Sequence, residues 1–251
     1  MSDPIPCYVI NLRSETGRRD RMKEMLAARG VSPTFFEAVD GREMARAELD
    51  AHVDAPLLAR EYGALSNGEI GCALSHLAIY RDIVARNHRA AVILEDDVCV
   101  ADDFGRLLNS GFEGRFGQAL SSRDPEMLQL TKVARGYRFT AKPLAPGRTA
   151  MRPASSVWLA SGYMINLAGA KSLSEHLHPL WTVADQWSRF QEKGLIRLWA
   201  SSPAIVWESE QAQASSLEPS RASRLHHPKT LRQRVARLGY EIGRPFLTRA
   251  L

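Results

Sequence analysis

Only three cysteines occur in 251 residues, Cys7, Cys72 and Cys99. They are odd in number and widely spaced, which excludes a disulfide framework and any CxxC zinc module. No apolar run approaches the roughly 18 residues of a membrane-spanning helix. The opening residues, MSDPIPC, lack a basic stretch followed by an apolar one, so the expectation is a cytoplasmic chain. Neither GxGxxG nor GxxxxGKS/T occurs, and HExxH is absent as well. These gaps exclude a Rossmann dinucleotide fingerprint, a P-loop and a zincin. There is no internal repeat and no low-complexity tract.

What is present describes one folded core. Apolar residues make up 45% and charged residues 24%, and mean hydropathy is −0.25, too apolar for a largely disordered chain. The net charge of +5 is unevenly spread. From Pro219 onward there are eight Lys or Arg and one acid, Glu241, for a net +7. Of the 33 bases and 28 acids in all, 25 bases and 27 acids remain elsewhere, a net of −2. The expected organisation is therefore a body at 1–208, a polar linker at 209–223 and a basic amphipathic tail at 224–251.

Residues 5–12 (IPCYVINL) form a short apolar run rich in strand formers, and 34–39 a second strand ended by Asp40-Gly41. Between them, 15–29 read as a helix capped by Ser14 and closed by Gly30. Strand, helix, strand opens a parallel α/β unit. Residues 42–66 read as a short helix and loop. From Asn67, a plausible cap, Ile70, Ala73, Leu74, Leu77 and Val84 follow the helical period. AAVIL (90–94) is too short for a helix and too continuous for a half-exposed strand, so it predicts a central parallel strand. Further strands are expected at 127–131 and 156–165 and a helix at 168–177, with loops at 105–117 and 141–153.

Chemistry concentrates where these runs stop. Glu95, Asp96 and Asp97 follow directly on the apolar strand, and ligands of parallel sheets bind beyond the strands' carboxyl ends. Strand alternation aims Glu95 and Asp97 one way and Asp96 the other. This is either a Mg²⁺ or Mn²⁺ site for a diphosphate or a solvated acidic loop. On the following pattern, LSNGEIGCALSH, Glu69, Cys72 and His76 share a stripe beside the apolar face. They are rim residues of a cleft or ordinary helix residues. Asn11 ends the first strand, and Arg13, Arg18 and Arg19 follow, a place suited to phosphate; Arg18 reads as part of a solvated helix face.

Taken in order, VINLRSETGRRDRM, FFEAVDGRE, LSNGEIGCALSHLAIYRDIV, AAVILEDDV, ASGYMINLAGAKSL, TVADQWSRF and SPAIVWES resemble glycosyltransferase family 25 of bacterial lipopolysaccharide and lipooligosaccharide biosynthesis. The resemblance covers residues 5–209. The family's collagen-modifying branch works in the endoplasmic reticulum; with no signal peptide or retention signal read here, the bacterial branch is the expectation.

The resemblance implies a GT-A-like α/β/α sandwich with a mostly parallel central sheet. It also implies hexose transfer, galactose foremost, from a UDP-sugar with inversion. Glu95 and Asp97 would then face Mn²⁺ or Mg²⁺, although Glu replaces the first Asp of the usual DxD pattern. Asp96 would bond the donor's ribose, Asn11 and Arg13 would meet its nucleotide, and Glu69 and His76 would line the donor side. Arg13 or Arg19 would assist the diphosphate. Asp185 is the expected general base, with Glu208 as fallback, and Trp181 and Trp187 would stack on a sugar; a helix-capping role for Asp185 is the alternative.

The tail, with Leu231, Val235, Leu238 and Ile242 at helical spacing, fits either an anionic membrane surface bearing a lipid-linked oligosaccharide acceptor or a helix packed on its own domain. The body is acidic and lacks aromatic–basic interleaving, which argues against nucleic acid. An inactive GT-A-like scaffold at the membrane is the other class of function. A two-metal phosphohydrolase lacks the second ligand cluster it would need.

Overall fold

The computed structural model describes residues 5–109, 123–209 and 247–249. Its elements are strands β1 (Cys7–Asn11), β2 (Thr34–Glu37), β3 (Ala90–Glu95), β4 (Val98–Val100), β5 (Glu126–Gln129), β6 (Arg135–Tyr137), β7 (Lys142–Ala145), β8 (Arg148–Met151), β9 (Gly162–Asn166), β10 (Arg197–Ser202), β11 (Val206–Glu208) and β12 (Leu247–Arg249). The helices are α1 (Thr16–Ala27), α2 (Arg46–Asp50), α3 (Ala55–Glu61), α4 (Asn67–Ala85), α5 (Phe104–Asn109), α6 (Leu167–His176) and α7 (Trp187–Glu192).

Eight strands form one sheet in the order β2-β1-β3-β9-β5-β10-β8-β7. The sheet is mixed. β1, β2, β3, β5, β7 and β10 share one direction, and β8 and β9 run against them. The expectation of a mostly parallel sheet holds for strand direction. It fails for neighbours, because β9 enters antiparallel between β3 and β5. A strand buried on both faces reads the same in either direction, so β9 gave no sign of its polarity.

Side-chain alternation divides the core into two layers. Tyr8, Ile10, Ile93, Tyr163 and Ile165 pack on one face together with residues of α4, α6 and α7. Cys7, Val9, Val92, Leu94 and Met164 pack on the other with residues of α1 and α5. This is the three-layer α/β/α arrangement.

Local expectations shift in four places. Ser66, not Asn67, caps α4, through a reciprocal capping box with Glu69. Ser14 does not cap α1, whose N-cap is Glu15 without a side-chain bond. The expected loop at 141–153 contains the β7–β8 hairpin, turning through Gly147 at φ +73°. Part of the loop expected at 105–117 is α5, where Gly105 lets the helix approach the Arg29 carbonyl closely. Of the basic tail expected to be helical, 224–246 and 250–251 lie outside the described residues. Residues 247–249 form a strand paired antiparallel with β6, so no helix exists there. The linker at 209–223 lies outside the described residues except Ser209.

Candidate functional site

The carboxyl ends of β1 and β3 lie side by side, with Ile10 opposite Glu95. Alternation then sorts the acids. Leu94 faces the α1 layer, and so does Asp96 two residues on, where it meets Asn11 from β1. Ile93 faces the α4 layer, and Glu95 follows it there.

On the α1 side, Asn11 Nδ2 donates to Asp96 Oδ2 at 2.7 Å and to the Glu15 carbonyl at 3.1 Å. Arg18 Nη1 donates to Asp96 Oδ1 at 3.2 Å and lies 3.9 Å from Asp97 Oδ2. Arg21 donates to the carbonyls of Asp96 (2.7 Å) and Val98 (3.1 Å). Asn11 Oδ1 is buried without a hydrogen-bond partner. Both oxygens of buried Asp96 are thus occupied, and its evident work is to hold Asn11 and Arg18 in place.

Asp97 lies past the end of β3, in the turn to β4. Burial pushes the Asp97 carboxyl up to about 6, helped by repulsion from Glu95, Asp96 and Glu208, with Arg18 opposing. Glu208 reaches this neighbourhood because β11 pairs with β4, setting Glu208 opposite Val98. The Ser209 N–H also donates to the Asp97 carbonyl at 2.9 Å.

On the α4 side, Glu95 Oε1 lies 3.7 Å from His76 Nε2 and 4.0 Å from Cys72 Sγ. His76 is buried, and its Nδ1 is 2.7 Å from the Tyr163 hydroxyl, itself 2.8 Å from that of Tyr80. Glu69 accepts from the Ser66 N–H and hydroxyl at 2.9 and 3.0 Å. Its carboxylate therefore caps α4 instead of extending the stripe of Cys72 and His76.

The remaining assigned residues divide further. Arg13 is exposed just after β1. Arg19 lies over the Phe35 ring, 4.4 Å from its centroid, on the β2 side. The arginine that reaches the acids is Arg18, which the sequence had placed on a solvated face. Asp185 is half-buried in the turn before α7, whose N-cap is Gln186.

Trp187 is fully buried and Trp181 is 5% exposed. Each spends its indole N–H on a backbone carbonyl, Leu159 and His176 respectively. They belong to the core and cannot stack on a sugar, which corrects that expectation. Trp158, 50% exposed, was missed. Leu159 beside it sits at φ +70°, and Gln129 Nε2 donates to the carbonyls of both residues. A non-glycine residue pinned in that region is a signature of functional loops. The loop leads to Ser161, whose carbonyl accepts from the Glu95 N–H at 3.0 Å.

The chain is thus an α/β/α body with polar groups gathered at one carboxyl edge of its sheet. The family model for glycosyltransferase family 25 (LPS biosynthesis protein) matches residues 5–187, and the chain belongs to that family. Procollagen galactosyltransferase 2 of Mus musculus is 29% identical over 170 residues, covering 66% of this chain and 27% of that protein. Inactive glycosyltransferase 25 family member 3 of Mus musculus is 33% identical over 184 residues, covering 70% and 30%. A glycosyltransferase 25 family member of Aedes aegypti is 31% identical over 185 residues, covering 67% and 27%. The chain thus spans about three tenths of the length of these relatives. Among the described residues no helix is long and apolar enough to cross a membrane.

Proposed function

We propose that this chain transfers a hexose, galactose foremost, from a UDP-sugar to a lipopolysaccharide- or lipooligosaccharide-type acceptor with inversion. The observation that carries the reading is the convergence of Asn11, Arg18, Asp96, Asp97 and Glu208 at the carboxyl edge of the sheet in a family 25 chain.

Asn11 Oδ1, buried and unpartnered, is the acceptor offered to a donor hydroxyl or N–H of the nucleotide. Asp96 fixes the Asn11 amide by taking its N–H. Arg18 lies at the mouth of this group and answers the diphosphate charge.

Asp97 fits a hard divalent cation. It is largely buried among other carboxylates, and burial first, then their repulsion, makes it hold its proton tightly. Glu95 acts on it most strongly among the acids, and Glu208 also acts on it from β11. When bound there, Mn²⁺ or Mg²⁺ supplies Lewis-acid stabilisation of the departing diphosphate.

An inverting displacement needs a base on the face of the sugar opposite the diphosphate. Asp185 takes that role, because Glu208 is committed beside Asp97. The segment before it, Thr182–Val183–Ala184, lines a small cavity with His76. Trp158, not the buried tryptophans, offers the ring for an acceptor sugar. A lipid-linked acceptor at an anionic membrane surface, met through the basic segment beyond residue 209, completes the reading.

A non-catalytic scaffold is the second reading, favoured by the relative named inactive. One assay separates them: incubation of the full chain with UDP-, GDP- and CMP-sugars in Mn²⁺ or EDTA, with detection of released nucleotide. Mn²⁺-dependent release from a UDP-sugar is expected. No release from any donor favours the scaffold.

A further inference from the structure

Among the described residues, one trio of metal-ligating atoms converges: Cys72 Sγ, a ring nitrogen of His76 and a Glu95 carboxylate oxygen, all within 4.8 Å of one another. We infer that these three residues form a binding site for a soft divalent transition metal of the Zn²⁺ class, distinct from the Asp97 position, with a fourth coordination place left open.

Local structure explains how the trio is assembled. Cys72 and His76 are four residues apart on α4, so both side chains leave the same face of the helix. Glu95 is the last residue of β3, and alternation turns it towards α4. A rigid helix and the end of a central strand thus present the atoms from two directions.

The separations are those of ligands facing a gap. Glu95 Oε1 to His76 Nε2 is 3.7 Å, and Glu95 Oε1 to Cys72 Sγ is 4.0 Å. The histidine–glutamate separation is too long for a good hydrogen bond, and the Cys72 thiol reaches Glu95 only at the outer limit for sulfur. Tetrahedral zinc, with bonds of about 2.0 Å to nitrogen and oxygen and about 2.3 Å to sulfur, sets ligand atoms roughly 3.3–3.6 Å apart. The two separations to Glu95 exceed that range by a few tenths of an ångström, and all three atoms lie within 4.8 Å of one another.

His76 supplies an independent sign. Its side chain is 2% exposed and its Nε2 has no hydrogen-bond partner, an arrangement a fold rarely leaves without a ligand. The other nitrogen is fixed by Tyr163, in turn bonded to Tyr80. With Nδ1–H donated to the Tyr163 oxygen, Nε2 is the lone-pair nitrogen aimed at Glu95 and Cys72. A metal-bound histidine commonly has such a second partner. One sulfur, one imidazole and one carboxylate select Zn²⁺ or Co²⁺ over Mg²⁺ and Mn²⁺.

The test uses Co²⁺ and Zn²⁺ alone, with no sugar donor, so its outcome is independent of the transfer reaction. The full chain is stripped with EDTA, desalted and titrated with Co²⁺. Expected is a near-ultraviolet thiolate-to-cobalt charge-transfer band that saturates at one equivalent and is bleached by Zn²⁺. Cys72→Ser loses the band, Cys99→Ser keeps it, and His76→Gln weakens Co²⁺ binding at least tenfold. Melting in EDTA identifies any variant that has not folded. Zn²⁺ is also expected to slow alkylation of Cys72 in the wild type, followed by peptide mass, while Mg²⁺ does not. A wild type without the band, a band that survives in Cys72→Ser, or alkylation insensitive to Zn²⁺ overturns the site.

Discussion

Asp97→Asn isolates the electrostatic argument. In the folded chain the Asp97 carboxyl sits at about 6 against an ordinary 3.8, about 2 units. At about 1.4 kcal/mol per unit, ionising Asp97 costs folding up to about 3 kcal/mol. The side chain is 24% exposed, and solvent screening brings the expected figure to about 2 kcal/mol.

The folded state binds this proton more tightly than the unfolded chain does. The favourable contribution is therefore complete below about pH 3.8 and is lost as pH rises through about 6. An asparagine carries no charge to desolvate. In EDTA at about pH 8 the variant should melt above the wild type by roughly 4–8 °C, from about 2–4 °C per kcal/mol for a chain of this size. The advantage should vanish towards about pH 4. Mn²⁺ should then raise the melting temperature of the wild type and leave the variant unmoved. Scanning fluorimetry across pH, with and without Mn²⁺, reads all three. A variant that melts at or below the wild type at about pH 8 in EDTA would refute the reasoning, as would an advantage that does not change with pH.

Four other outcomes follow from the same geometry. Gly71→Ala puts a Cβ 2.4 Å from the Val39 carbonyl and 2.6 Å from the Gly41 nitrogen. Backbone cannot yield there, so a loss of about 1–3 kcal/mol is expected in urea unfolding. Trp187→Ala should cost about 3–5 kcal/mol, whereas Trp158→Ala should stay within about 0.5 kcal/mol for stability and lower kcat/KM for the acceptor. Arg18→Met should raise the donor KM about tenfold or more, as loss of a charge-assisted contact does, with less effect on the acceptor KM. Asp185→Asn should reduce turnover by at least about 100-fold while donor affinity, measured by calorimetry, stays the same; near-normal turnover would remove Asp185 from the base role.

How much of this was legible in the sequence depends on whether a local rule governed the residue. AAVILEDDV announced a buried strand ending in acids, and β3 with its acidic edge is what stands there. Alternation correctly divided Glu95 from Asp96. Asp97 lies in the turn beyond the strand, and nothing local marks the residue at which a strand gives way to a turn. By sequence Arg18 reads as solvated and Arg19 as a diphosphate residue, and no apolar stripe on α1, which is polar nearly all round, corrects that. Its orientation is set by contacts with Asp96 and Phe35, which are remote in sequence. Trp181 stands in an irregular segment and Trp187 at the first position of a short helix, where a tryptophan looks alike whether it meets sugar or core. Glu208 reaches Asp97 only through the β11–β4 pairing, a long-range event with no local trace.

The five tryptophans of the chain fall into two optical classes. Trp158 and Trp207 are about half exposed, whereas Trp181, Trp187 and Trp199 are at most 5% exposed. Acrylamide can therefore extinguish the first pair selectively and leave the blue-shifted emission of the second group. Within that group, Trp187 has its ring centroid 4.7 Å from that of Tyr163, the residue that fixes His76. The protein carries its own fluorescent gauge. Emission that resists quenching reports on the core beside Tyr163 and His76, while the quenchable fraction reports on the surface around Trp158 and Trp207. Both can be read in one cuvette without a label.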